Sequence, residues 1–141
     1  EQQMSTDIVV GIDGSRNAGV ALAWALDEAE VRDVRVRAVL VWSYMGEGNS
    51  ILGVGTTEEI AAQALADAVA GIAGERAERV DQVTVNDLAV PGLLGQCHDA
   101  ALLVVGHRGL GKLKGLLLGS TSRTVIERSP IPVVVVPLPP D

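Results

Sequence analysis

The feature that most constrains this chain is a set of short, apolar, largely β-branched runs separated by stretches of helical periodicity. "DIVVGID" (Asp7 to Asp13), "VRVRAVLVW" (Val34 to Trp42), "QVTVNDLAV" (Gln82 to Val90), "AALLVVG" (Ala100 to Gly106) and "VVVV" (Val133 to Val136) read as five strands. Several are apolar without alternation, the mark of strands covered on both faces. Between the first two, Val20, Ala21, Trp24, Ala25 and Glu28 recur at helical spacing within Ala18 to Val31, after a turn at "GSRNAG". Thr56 and Glu59 have capping-box spacing and open a helix expected to reach about Val80. Its inner stripe is Ala61, Leu65, Ala68 and Ile72, with Gly71 and Gly74 weakening the second half. The third and fourth strands are close in sequence, so a helix near Leu93 to His98 has no room for more than two turns. A last helix runs from Ser120 to about Arg128. Strand and helix alternating in this way call for an α/β fold, a doubly wound parallel sheet with helices on both faces. No internal repeat or linker interrupts the pattern, so residues 1–141 are expected to form a single domain.

The core of such a sheet has to be aliphatic here, because 48% of the residues are hydrophobic yet there is no Phe, one Tyr and two Trp. A net charge of −7 argues against general nucleic-acid binding and against anchoring on an anionic membrane. No apolar run approaches the roughly 20 residues of a membrane span. The first residues, "EQQMSTD", lack the apolar core of a signal peptide. Cys97 is the single cysteine, so no internal disulfide can form and a cytoplasmic location is expected.

Doubly wound sheets bind ligands beyond the carboxyl ends of their strands, where the strand order reverses. With the first and fourth strands adjacent there, "GIDGS" and "GHRGLG" face each other across one crevice. The second of these belongs to a glycine-rich stretch, Val104 to Ser122. Gly106, Gly111 and Lys112 fit a Walker A loop, but Leu113 stands where Ser or Thr is required. Gly106 and Gly109 would let main-chain N–H groups approach a phosphate. Gly119 and Ser120 open the next helix, whose N-terminus favours an anion, with Ser120 suited to the N-cap. Composition alone leaves this cradle and an ordinary strand-to-helix connection equally open.

The spacing Gly106, Gly109, Gly119-Ser120 is G-x2-G-x9-G-[ST], which is similar to the nucleotide loop of the universal stress protein family in its ATP-binding branch. The resemblance also covers "VVGIDGS", "AVLVW", "LLVVGHRGLG" and "LLLGSTSRTVIERSPIPVVVV". It implies bound ATP, with adenine against Gly11, Ile12, Asp13 and the backbone of Val41. The ribose and phosphates would lie on Val105, Gly106, Arg108, Gly109, Gly119, Ser120, Thr121 and Ser122. The expected sheet order is 3-2-1-4-5. Asp13 either caps its turn or, beside a triphosphate, holds Mg²⁺ or a ribose hydroxyl, and the second use is preferred. Lys112 and Lys114 are read as solvated loop charges. Family members dimerise through the last strand, which implies a homodimer pairing Val133 to Val136 across a two-fold axis, with Pro130, Pro132 and Pro137 limiting the strand's length.

Other residues carry less. His107 is read as an exposed loop contact, since no partner nucleophile is evident. "CHD" (Cys97 to Asp99) is no triad, because adjacent residues point in different directions. Trp24 is expected to face the core and Trp42 to flank the pocket. The chain departs from the family pattern between the third and fourth strands, where "AVPGLLGQCHDAA" is several residues short and lacks the Gly-x-Pro turn. Three functions remain in view: a nucleotide-dependent stress-response or signalling module, a slow ATPase or adenylyl-transferring enzyme, and a nucleotide-free interaction protein. The Gly46–Gly55 loop, with Tyr44, is a candidate lid.

Overall fold

β1 (Ile8–Gly11) lies at the centre of a five-stranded parallel sheet, with β2 (Val36–Trp42) on one side and β4 (Leu102–Gly106) on the other. β3 (Val80–Asn86) and β5 (Val133–Val136) form the edges, giving the order β3-β2-β1-β4-β5. This is the expected α/β architecture and the expected strand order. The computed structural model describes residues 7–43, 52–107 and 120–139. Ile8 pairs with both Val36 and Leu102. Ile8, Val9 and Val10 have no exposed surface at all, which is what an unalternating apolar run in a central strand requires.

Successive strand residues point to opposite faces and divide the core in two. On one face Ile8, Val10, Leu40 and Val104 meet Leu22 and Leu26 of α1 (Arg16–Arg32) and Leu65 and Val69 of α2 (Glu58–Ala73). On the other face Val9, Val39, Leu103 and Val105 meet Leu93 of α3 (Ala89–Leu94) and Val125 of α4 (Ser120–Arg128).

Helix α1 starts earlier than its apolar spacing implied. Ser15 is the N-cap and its hydroxyl accepts from the Ala18 N–H at 3.2 Å, so much of "GSRNAG" is the first helical turn. The inner stripe is Ala18, Ala21, Leu22, Ala25, Leu26 and Ala29, with Trp24 half-buried at its margin. The helix stops at Asp33, whose φ of 56° is left-handed.

In α2 the cap is Thr57, one residue later than expected. Thr57 Oγ1 accepts from the Ile60 N–H, while the buried Thr56 hydroxyl donates to the Gly53 carbonyl at 2.6 Å. The buried stripe runs at i, i+4 through Ala61, Leu65, Val69 and Ala73. Ala68 is only half-buried and Ile72 is exposed, its tip lying over Gly19 of α1. The helix also ends before Val80. Gly74 takes a φ of 55°, and a 3-10 segment, Gly74–Arg79, leads into β3.

The third crossover helix is short, as expected, but lies earlier in the chain than Leu93 to His98. Pro91 fits within its first turn, where a missing N–H costs little. Gly92 lets this helix press on the sheet: a Cβ there would stand 2.7 Å from Val41 Cγ1. The connection from α3 to β4 is pinned by Arg37, which donates to the Gln96 carbonyl at 2.8 Å and to Asp99 Oδ1 at 3.0 Å. It also reaches Asp7 at 3.4 Å. The Arg37 hydrogen bond holds the Asp99 carboxyl below its ordinary range. Burial pushes the Cys97 thiol up to about 11, and its sulfur faces the Leu93 carbonyl, so "CHD" contains no activated nucleophile.

Candidate functional site

The chain leaves β1 through α1 toward β2 on one side and leaves β4 through α4 toward β5 on the other. The strand order therefore reverses between β1 and β4, and their carboxyl ends open a crevice at the switch point. β2 runs three residues beyond its last pairing with β1, Gly11↔Val39, so the main chain of Val41 stands past the end of β1.

On the β1 side, the buried Ile12 donates its N–H to the Val39 carbonyl at 2.8 Å. Asp13 follows, with Oδ1 accepting from the Ser15 N–H at 2.9 Å, and Gly14 turns the chain at a φ of 84°. One oxygen of Asp13 thus makes the turn contact that the sequence allowed, leaving the carboxylate half-buried at the start of α1.

On the β4 side, the Val105 side chain is buried in the core beneath α3 and α4, so only its main chain is offered to the crevice. Gly106 pairs with Val136, and the His107 N–H donates to the Val136 carbonyl at 2.9 Å. Packing alone accounts for the glycine at 106. A Cβ there would lie 2.7 Å from Asn17 Cβ and 2.8 Å from the Asn17 carbonyl carbon and oxygen. The first turn of α1 therefore rests directly on the end of β4.

Helix α4 brings its own first turn to the same point. Ser120 is exposed and is the first helical residue, one place inside the expected cap position, and Thr121 is half-buried. Ser122 is buried and its hydroxyl donates to the Gly106 carbonyl at 2.9 Å. Gly11, Ile12, Asp13, Val41, Val105, Gly106, Ser120, Thr121 and Ser122 are thus gathered around one end of the sheet. Arg108, Gly109 and Gly119 lie outside the described residues, as do Lys112, Lys114, Tyr44 and most of the Gly46–Gly55 loop. Trp42 is buried in the core on the α1 and α2 face. Asn17 is the residue that sequence reasoning missed. Its position two places after the N-cap Ser15 was the available clue, but the contact with Gly106 is tertiary.

The crevice sits under two helix N-termini, whose first-turn N–H groups have no acceptor within their own helix. A groove of about 840 Å³ lies near the opposite ends of the strands, lined by Arg35, Arg76 and Arg79 with Glu30, Asp33, Glu75 and Glu78. Its arginines are already engaged: Arg35 with Asp81 at 2.9 Å, Arg76 with Asp27 and Glu30 at 2.7 and 2.9 Å, and Arg79 more distantly with Asp33. Charge neutralised in this way offers an anion little. Among the described residues no group of three or more His, Cys, Asp or Glu is placed to hold a metal ion. No helix among them is long and apolar enough to cross a membrane.

Comparison with known families agrees with this architecture, as the model of the universal stress protein family matches residues 4–137. The chain belongs to the universal stress protein family. A universal stress protein of Mycobacterium tuberculosis is 36% identical over 132 residues, which cover 91% of this chain and 44% of that protein. The chain thus spans less than half the length of the curated relatives it matches. Among solved structures, a universal stress protein from Archaeoglobus fulgidus superposes with a TM-score of 0.69 at 28% identity, over 94% of this chain and 93% of that one. A structure of the universal stress protein from the same organism in complex with dAMP has a TM-score of 0.69 at 26% identity, over 94% and 98% of the two chains.

The packing at Gly106 is directly testable. Gly106→Ala in the nucleotide-free protein should lower unfolding stability by about 1–3 kcal/mol, because main-chain atoms of Asn17 have to move. Urea denaturation would measure it, and a change under about 0.5 kcal/mol would mean that α1 does not rest on β4 as described.

Proposed function

We propose that this chain is an ATP-binding universal stress protein that acts in the cytoplasm as a stress-response or signalling module, its output set by nucleotide occupancy. The observation that carries this reading is the meeting of the β1 and β4 carboxyl ends with the first turns of α1 and α4. A polyphosphate requires hydrogen-bond donors and a positive field with little side-chain bulk, and that meeting point supplies both. Adenine would lie against Gly11, Ile12, Asp13 and the main chain of Val41. The phosphates would take the main chain at Val105 and Gly106 and the first turn of α4 at Ser120 and Thr121. Arg108, Gly109 and Gly119 would contribute from the intervening stretch. The dAMP complex of a relative supports an adenine nucleotide, and the G-x2-G-x9-G-[ST] spacing supports three phosphates.

A Mg²⁺ ion would arrive with the phosphates, with the Asp13 carboxylate as its protein contact. Binding is favoured over turnover because phosphoryl transfer needs a positioned water or acceptor. Among the described residues of the crevice Asp13 is the one carboxylate, and it already holds the Ser15 amide. Residues 1–141 are proposed to act as one nucleotide-binding domain, without nucleic-acid or membrane partners. Its copies would pair through β5, whose outer edge meets no other strand among the described residues and whose Val133, Val134 and Val135 are only half-buried.

Isothermal calorimetry with ATP, ADP and AMP, with and without Mg²⁺, tests the reading. Saturable binding is expected, tightest for ATP, and Gly109→Val should abolish it while circular dichroism stays unchanged. No binding by the unaltered chain, or phosphate release faster than about 1 s⁻¹, would overturn the proposal. Light scattering at micromolar concentration should give twice the chain mass of 14.6 kDa, and a monomer would defeat the β5 pairing.

A further inference from the structure

We infer that Ser122 is a positioning residue whose hydroxyl fixes the first turn of α4 to the end of β4 and is not itself a phosphate ligand. The inference rests on reading the crevice as the nucleotide site and concerns how that site is held in shape. Ser122 Oγ lies 2.9 Å from the Gly106 carbonyl oxygen, sixteen positions away in sequence. A carbonyl only accepts, so the single hydroxyl proton of Ser122 is spent on it. What remains on Oγ is acceptor capacity, which a phosphate oxygen, itself an acceptor, cannot use. One side chain cannot serve both partners at once.

The surroundings explain why this contact matters. Ser122 and Val125 are the two buried residues of α4, three apart and so on the same side of the helix. Val125 belongs to the apolar cluster on this face, a contact that is non-directional and leaves the helix free to slide or rotate. The Ser122 hydrogen bond is directional and removes that freedom. Its acceptor is itself immobilised, because Gly106 is seated on Asn17 of α1 and the following amide, His107, is bonded to Val136 of β5. The bond therefore refers the N-terminus of α4 to a point that α1, β4 and β5 already define. It also ties together the two ends of the segment between Gly106 and Ser122, which carries most of the glycine spacing. Without it the first-turn donors at Ser120 and Thr121 keep their chemistry but lose their place.

The test compares Ser122→Ala and Ser122→Thr with the unaltered chain, by calorimetry with AMP, ADP and ATP and by amide hydrogen exchange without nucleotide. Ser122→Ala should weaken all three nucleotides by a similar factor, about fivefold to tenfold, the size expected for one lost hydrogen bond. It should also speed exchange in the first turn of α4 before any ligand is added. Ser122→Thr, which keeps the hydroxyl, should recover both. A loss confined to ATP would identify a direct contact with the terminal phosphates and overturn the inference. So would unchanged affinity and exchange in Ser122→Ala, or a Thr variant no better than Ala. If Ser122→Ala does not fold, Ser122→Cys, of the same shape with a weaker donor, takes its place under the same criteria. Failure of the nucleotide reading is distinct, since it appears as no binding by the unaltered chain; faster exchange in the Ala variant would then report only a structural contact and end the positioning role.

Discussion

The structure depends on the parallel pairing of β1 with β4. Ile8, Val9 and Val10 pair with Leu102, Leu103 and Val104, and all but Leu102, itself nearly covered, have no exposed surface. A strand buried in this way needs a helix layer on each face, and right-handed crossovers then send α1 and α4 off in opposite directions. Both helices begin where the strands end. The crevice between them follows from the topology, before any particular side chain is considered.

Gly106 is where that topology becomes specific. α1 approaches it so closely that a methyl group would collide with the Asn17 backbone, and α4 is bonded to its carbonyl through Ser122. β5 holds the next residue through the His107 amide. Three elements thus take their position from one residue, and the donors proposed to meet phosphate inherit that position. Rigidity at the base of the crevice also frees its rim to vary, so relatives with the same fold need not share a ligand or an output.

Much of the fold was legible because unbroken apolar runs leave a strand few alternatives. β5 was placed at its observed limits, and β1, β2 and β4 within two residues at each end. The helices were harder to delimit. α2 is so rich in alanine that stripes through Ala68 and Ile72 or through Val69 and Ala73 look alike in sequence, and only packing against β2 and β3 selects the second. Thr56 and Thr57 are both good caps, and a local contact decides between them: the Thr56 hydroxyl is spent on the Gly53 carbonyl, leaving Thr57 to start the helix. α3 lies earlier than Leu93 to His98 because its first turn accepts Pro91, so the helix begins at Ala89. At the crevice, the glycine spacing and the Asp13 turn were visible. The Asn17 seat and the Ser122 bond were not, since each joins residues remote in sequence through a contact no periodicity encodes.

The most direct measurement of the central claim is a map of backbone amide chemical shifts in isotopically labelled protein as ATP is added. The largest changes are expected at Gly11, Ile12, Gly106, His107 and Ser120 to Ser122, with little change around Arg35, Arg76 and Arg79. Changes centred on those arginines, or none at saturating nucleotide, would show that the meeting point of β1, β4 and the two helix N-termini is not where this chain holds its ligand.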